Sequence, residues 1–266
     1  QGLAHIDGVY DLGGSASLPN FTVEVSGRLV IGSGNLDAHP DEIVTDYLTN
    51  ANYGAGFPAA KIGSLTQYAN FCTAYGIWLS PALTAQQQAQ QHLADLLRAT
   101  NTAPVWSEGL LKLIPYCETA LTANGATYTP NITPQYDLTD DDFLYESGAD
   151  PVRVTHGSPA DAYNRVTVEF LNRANQYNIE TVEAKDQANI ELYGLRPMDP
   201  IRLHAICDGA IAQLVAQMIL QRVLYIRNSY EFNLGWRFDR LEPMDIVTLT
   251  DAELELNKYQ VRITEI

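Results

Sequence analysis

Hydrophobic positions fall into two regimes along this chain. Phe21, Val23 and Val25 alternate with polar neighbours, and Leu29-Val30-Ile31 follows Gly27, which predicts strands over 21–31. Helical spacing then takes over. Pro40 suits a first helical position ahead of Ile43, Val44, Tyr47 and Leu48, predicting a helix over about 40–50. Ser64 is placed to cap a second helix over 64–75 that stops at Gly76. Ile77-Trp78-Leu79 reads as a short strand, and Ala89, Leu93, Leu96 and Leu97 line the apolar face of a third helix over 85–98. A hairpin is expected over 103–116 around Ser107-Glu108-Gly109, followed by turns and extended connector from Asn124-Gly125 to Tyr136.

Past residue 150 the period changes to two. Val166, Val168 and Phe170 share one face of a predicted strand, with Ile179 to Val182 as its partner across the 172–178 turn. The apolar rows Ile206-Ala210-Leu214-Met218 and Ile211-Val215-Ile219 predict a long helix over about 204–223. Its apolar positions cover more than one stripe, so either the rest of the chain or an assembly partner must cover the second. Strands return at 229–237, 246–249 and 259–263. The fold class is therefore α+β, with helices concentrated early and antiparallel β late. No repeat of 20–50 residues is visible.

Charge sharpens the division. The 266 residues carry a net −16, and the excess is uneven: residues 1–150 hold four basic and sixteen acidic side chains, residues 151–266 twelve and sixteen. Gly148-Ala149-Asp150-Pro151 offers turn chemistry at that step, which predicts two regions, 1–150 and 151–266. An acidic chain of this kind repels a phosphate backbone, so specific nucleic-acid binding is not expected. No run of eighteen apolar residues is present, so no membrane span is expected. The start at Gln1 lacks a basic flank and an apolar run, as expected of a fragment or processed chain without a secretory signal.

Candidate chemistry is sparse. Gly13-Gly14-Ser15 and Gly32-Ser33-Gly34 lack nucleophile-elbow spacing, and no phosphate-cradling loop opens a helix. His5, His39, His92, His156 and His204 are isolated, and no metal or cofactor is expected. Cys72, Cys117 and Cys207 are odd in number and widely spaced, which predicts free thiols. Asp140-Asp141-Asp142 lacks the alternation and glycine of a calcium loop and reads as an exposed acidic turn. Two readings stay open beside a structural one. A carboxylate-dependent cell-wall hydrolase would need two facing acids, one with a raised pKa. A carbohydrate- or receptor-binding module would need a groove floored by Trp78, Trp106 or Trp236.

The order of several segments resembles a known family. Asn164-Arg165-Val166-Thr167-Val168-Glu169-Phe170 is followed by Asn175-Gln176-Tyr177, Asp186, Ile190, Gly194 and Arg196, then the long helix, then Leu241-Glu242-Pro243-Met244-Asp245-Ile246-Val247-Thr248-Leu249-Thr250-Asp251. Earlier, Pro40 to Leu48 precedes Asn52-Tyr53-Gly54-Ala55-Gly56. This resembles the tail-tip or baseplate-hub proteins of long-tailed bacteriophages and gene-transfer agents, with Met244 where that family usually has glycine. The resemblance implies a structural virion component without catalytic residues. It implies a barrel-like, tail-tube-like late region and a trimeric hub at the end of the tail tube that contacts other tail proteins. DNA would pass without specific binding, and the particle would assemble in the bacterial cytoplasm.

Overall fold

The computed structural model describes residues 36–83, 88–145 and 150–266. The strands expected over 21–31, His5, both Gly-Ser clusters, the start of the third helix and the turn at 148–149 lie outside the described residues. No described helix is long and apolar enough to cross a membrane.

Three helices open the described chain: α1 (Pro40–Thr49), α2 (Thr66–Tyr75) and α3 (Ala89–Ala99). Pro40 begins α1, Asp41 and Glu42 face its positive end, and Ile43, Val44, Tyr47 and Leu48 are buried together. Gly76 ends α2 in the left-handed conformation, at φ +68°. Ser64 does not cap α2: Leu65 occupies the cap position without a side-chain bond, and the Ser64 hydroxyl accepts from Thr66 N at a long 3.4 Å. Among the described residues, Ile77-Trp78-Leu79 contributes only an isolated bridge, Ala38 to Leu79.

The segment after α1 shows why glycine stands where it does. Gly54 N and Gly56 N donate to Asn50 O, Ala55 N to Tyr47 O and Phe57 N to Leu48 O, so the chain folds back and satisfies the last helical carbonyls. A Cβ on Gly54 would lie 2.0 Å from the Tyr47 carbonyl oxygen. Only glycine fits.

Twelve strands follow among the described residues. β1 (Thr102–Ser107) and β2 (Leu110–Pro115) form the expected hairpin, turning at Glu108-Gly109 with both residues at positive φ. A second hairpin, β3 (Leu121–Ala123) with β4 (Ala126–Tyr128), replaces part of the expected connector. Asn124-Gly125 turns it at φ 52° and 81°, the left-handed pair a two-residue hairpin needs. β5 (Asp137–Thr139) and β6 (Val152–His156) come next.

β7 (Arg165–Asn172) and β8 (Asn178–Lys185) pair antiparallel over their whole length, with β9 (Ile201–Arg202) parallel on the other side of β7. A short helix, α4 (Gln187–Tyr193), lies between β8 and β9. Val166, Val168 and Phe170 point as the alternation requires and are buried under α5 (Gly209–Tyr225), which crosses β7 and β8. The helix starts five residues later than expected, since Asp208 caps it by accepting from Ala210 N at 2.7 Å and Ile211 N at 3.3 Å. His204 therefore sits in the preceding turn. On α5, Val215, Ile219, Leu220 and Leu224 are buried within the chain, while Ile211, Leu214, Met218 and Val223 are half-buried.

β10 (Asn228–Phe232) pairs with β6, and the strand expected to reach 237 ends there, because Gly235 leads into a 3₁₀ turn at Trp236–Phe238. β11 (Ile246–Asp251) joins β12 (Leu256–Arg262) antiparallel and β5 parallel. The architecture is mixed α+β. Its sheets have two or three strands each, and none closes into a barrel among the described residues.

Two main cores organise these pieces. The larger joins Val44, Phe71, Leu97 and Tyr128 to Val168, Ile206, Val215 and Ile219. The smaller joins Leu138 and Phe143 to Val152, Phe238, Val247 and Leu249. Both draw residues from each side of residue 150, so the charge step there changes the surface without interrupting the packing.

Candidate assembly surface

Every histidine singled out from the sequence that falls within the described residues has a structural partner. His39 is buried, bonded to Asp41 and, through Nε2, to Thr73 Oγ1 at 2.7 Å. His92 meets the Tyr47 ring edge-on at 5.7 Å, His156 Nδ1 lies 3.1 Å from Asn228 Oδ1, and His204 Nε2 lies 2.7 Å from Glu169. No group of three potential ligands is close enough to hold a metal ion among the described residues. The three cysteines are free; burial pushes the thiols of Cys72 and Cys207 above the ordinary range, which favours the unreactive protonated form.

Asp140–Asp142 form a 3₁₀ turn in which Asp140 and Asp141 are exposed as expected, whereas the Asp142 side chain is 6% exposed and tied down. Asp142 accepts from Thr139 N at 2.9 Å in a capping box and from Arg237 Nη2 at 2.6 Å.

One acid pair merits a test against the hydrolase reading. Burial raises the pKa of Asp245, partly offset by the Glu242 amide, while the Glu242 carboxylate pushes it further up. Both groups serve a latch. Glu242 Oε1 accepts from Ser107 Oγ at 2.6 Å, Lys112 Nζ lies 3.7 Å from Glu242 Oε2, and Asp245 Oδ2 accepts from Glu242 N at 3.0 Å. The cavity beside Asp245 measures about 80 Å³, far below the roughly 300–1,000 Å³ of small-molecule sites. No sugar ring enters it.

The raised pKa has a consequence for stability. Between the ordinary aspartate value of 3.8 and the raised one, the folded chain holds a proton that the unfolded chain has released, so stability falls as pH rises through that window. Asp245→Asn is expected to remove this slope, as read by urea denaturation at a series of pH values.

Met244, beside this latch, keeps the backbone conformation that glycine would adopt, at φ +74°. Its side chain is 6% exposed and packs with Ala103 and Val105 of the β1–β2 hairpin. Relieving the backbone is worth about 1–2 kcal/mol, whereas deleting a buried methionine side chain costs about 2–5 kcal/mol. Met244→Gly is therefore expected to lower the unfolding free energy by about 1–3 kcal/mol, measured in urea; a stabilised variant would mean the strain outweighs the packing.

The three tryptophans do not floor a groove. Trp78 lies against His39, Trp106 is 57% exposed beside Phe57, and Trp236 is 83% exposed in its turn. The features that stand out on the surface are of another kind. β8 and β12 are edge strands of eight and seven residues, paired on one side only among the described strands. Leu192, Leu195, Tyr225 and Ile226 are each more than half exposed at α4 and the end of α5. Open strand edges and exposed apolar side chains are what a chain buried in an assembly presents when seen alone.

Comparison with known proteins follows the same direction. The family model described as "Putative phage tail protein" matches residues 88–266. The fold is similar to a chain of the virion of a native gene transfer agent particle, with TM-score 0.54 at 17% identity over 82% of this chain and 49% of that one. Lower similarity extends to a prophage tail protein of Listeria monocytogenes EGD-e (TM-score 0.38, 12% identity, 70% of this chain and 50% of that one). It extends also to the 43 kDa tail protein of prophage MuSo2 from Shewanella oneidensis (TM-score 0.43, 15% identity, 69% and 51%). The chain spans about half the length of these solved chains. No curated protein matches it by sequence.

Proposed function

The chain belongs to the family described as "Putative phage tail protein", and from that premise we propose that it is part of a tail-tip or baseplate hub, a non-enzymatic wall element at the end of the tail tube. The match over residues 88–266 carries this reading. The open edges of β8 and β12 and the exposed apolar side chains at α4 and α5 support it, since each needs a neighbour to cover it.

The finer parts belong to the same proposal. Residues 151–266 form a tube-like domain whose small sheets join those of neighbouring subunits into a barrel-like ring, with residues 1–150 packed against it. Three copies close the ring, and other tail proteins dock on it. DNA passes through without specific binding, because an acidic wall keeps phosphates from adhering. The hub is built in the bacterial cytoplasm before release in the virion.

Light scattering of the full-length protein, with electron microscopy for symmetry, tests the ring. A trimer with a negatively charged inner wall is expected. A stable monomer at micromolar concentration, or a neutral or basic lumen, would overturn it.

A further inference from the structure

One arginine departs from the pattern set by the others. Arg165, Arg173, Arg196 and Arg262 are half-buried, and each holds a carboxylate, from Glu183, Asp37, Asp161 and Glu118 respectively. Arg222, near the end of α5, is half-buried as well but has no carboxylate partner among the described residues. In a chain with twice as many acids as bases, that is a conspicuous gap.

The guanidinium of Arg222 is held in place without a counter-ion. It lies 4.5 Å from the centre of the Tyr116 ring, a cation–π contact. Tyr116 is itself pinned to Asn101 through two bonds, its N–H donating to Asn101 O at 2.9 Å and its carbonyl accepting from Asn101 Nδ2 at 3.2 Å. A cavity of about 230 Å³ opens beside them, also lined by Arg98, Leu97, Thr102 and Pro104. Arg98, on α3, likewise has no carboxylate partner among the described residues. Burial lowers the pKa of Arg222 and the charge of Arg98 pushes the same way, opposed by Tyr116. Arg222 is half-buried and Arg98 exposed beside the same cavity, so an anion that enters it would offset the desolvation of the first charge and the repulsion between the two.

We propose that this cavity receives an aspartate or glutamate side chain from an acidic peptide segment of a neighbouring tail protein. A planar guanidinium fixed over an aromatic ring presents its N–H fork to a carboxylate with little entropy left to lose. The volume is below that of a typical small-molecule site and open enough for a side chain. A DNA phosphate fits this site less well, since the surrounding chain is net negative and a nucleic-acid grip needs a row of cations. The identity of the partner rests on the assembly reading above; the carboxylate chemistry does not, so the two can fail separately.

Fluorescence anisotropy of the full-length protein with a rhodamine-labelled hexapeptide of alternating aspartate and glycine tests this. Saturable binding is expected, at least tenfold weaker for the asparagine counterpart and for Arg222→Met. The methionine keeps the stem packing, so its thermal midpoint should equal or exceed that of the parent, which a purely structural role for the charge would not allow. Arg222→Lys, which keeps the charge and loses the fork, should weaken binding severalfold and serves if the methionine variant does not fold. Absence of binding, equal binding by Arg222→Met or by the asparagine peptide, or displacement of the peptide by oligothymidine more readily than by free glutamate would each overturn the proposal.

Discussion

Replacing Asn164 with alanine is expected to lower the unfolding free energy by about 4 kcal/mol, near the top of the range for a single change. The residue is fully buried, and both amide hydrogens and the amide oxygen are engaged. Nδ2 donates to Asn189 Oδ1 at 2.9 Å and to Gly194 O at 2.7 Å, and Oδ1 accepts from Arg196 N at 2.7 Å. The backbone takes part too, with Asn164 N donating to Arg196 O and Asp186 N donating to Asn164 O. One amide thus ties the start of β7 to the cap of α4 and to the turn that leads into β9. Alanine would leave two acceptors and one donor in a part-buried pocket without their partner, each costing about 1–3 kcal/mol. Asn164→Asp separates polarity from shape. It keeps the acceptor for Arg196 N but sets a second oxygen against Asn189 Oδ1 and Gly194 O. That variant should be destabilised at neutral pH and recover in part in acid, where a protonated carboxyl can donate. Urea denaturation at pH 7 and in acid reads both; equal loss at the two pH values would mean that the donor role is unimportant.

Asp37→Ala is the second large effect, expected to cost about 3 kcal/mol because it leaves a half-buried guanidinium without its counter-ion. Asp37 takes two bonds from Arg173 and one from the Ser80 hydroxyl, and its side chain is 13% exposed against 21% for that of Arg173. The bidentate pair raises the pKa of Arg173, which favours its charged form. It also joins residues far apart in sequence: Asp37 precedes α1, and Arg173 follows β7. Breaking one side exposes the penalty, whereas removing both charges with apolar residues of similar volume should recover most of it. The pair of variants Asp37→Ala and Asp37→Leu/Arg173→Met, compared by thermal and urea denaturation, checks this. A double variant no more stable than the single one would show that the bonds, and not the stranded charge, hold this junction.

These two residues also show what could be read in advance. β7 was legible because Val166, Val168 and Phe170 alternate over a long stretch and one face is buried. α5 was legible because its apolar rows recur over seventeen residues. Its start was misplaced because Ile206 continues the period through a turn, and the Asp208 cap decides the boundary instead. The β3–β4 hairpin was missed because its strands are three residues each, too short for alternation to register, although Asn124-Gly125 carried the turn signal. Met244 stands where the family usually has glycine. The backbone keeps the left-handed conformation all the same, held by packing against the first hairpin.

Long-range polar ties leave no local trace. Asp37 and Arg173 are 136 positions apart, and Ser107 and Glu242 are 135 apart. Neither spacing has a period or motif to betray it. The same holds for Arg222, whose lack of a carboxylate partner among the described residues stands out only once the other half-buried arginines are seen with theirs. On the functional side, the motifs that carried the family resemblance turn out to be structural devices. The Asn164 amide organises a turn, Gly54 lets the chain close over α1, and the 241–251 run enters β11. The cavity beside the 241–251 run measures only about 80 Å³.

Cryo-electron microscopy of the tailed particle containing the full-length protein tests the central claim most directly. Density for this fold is expected at the distal end of the tail tube, repeated around the axis, with the α4–α5 apolar side chains and the β8 edge covered by neighbours. Particles that lack the protein, or that carry it on the capsid with those surfaces open to solvent, would contradict it.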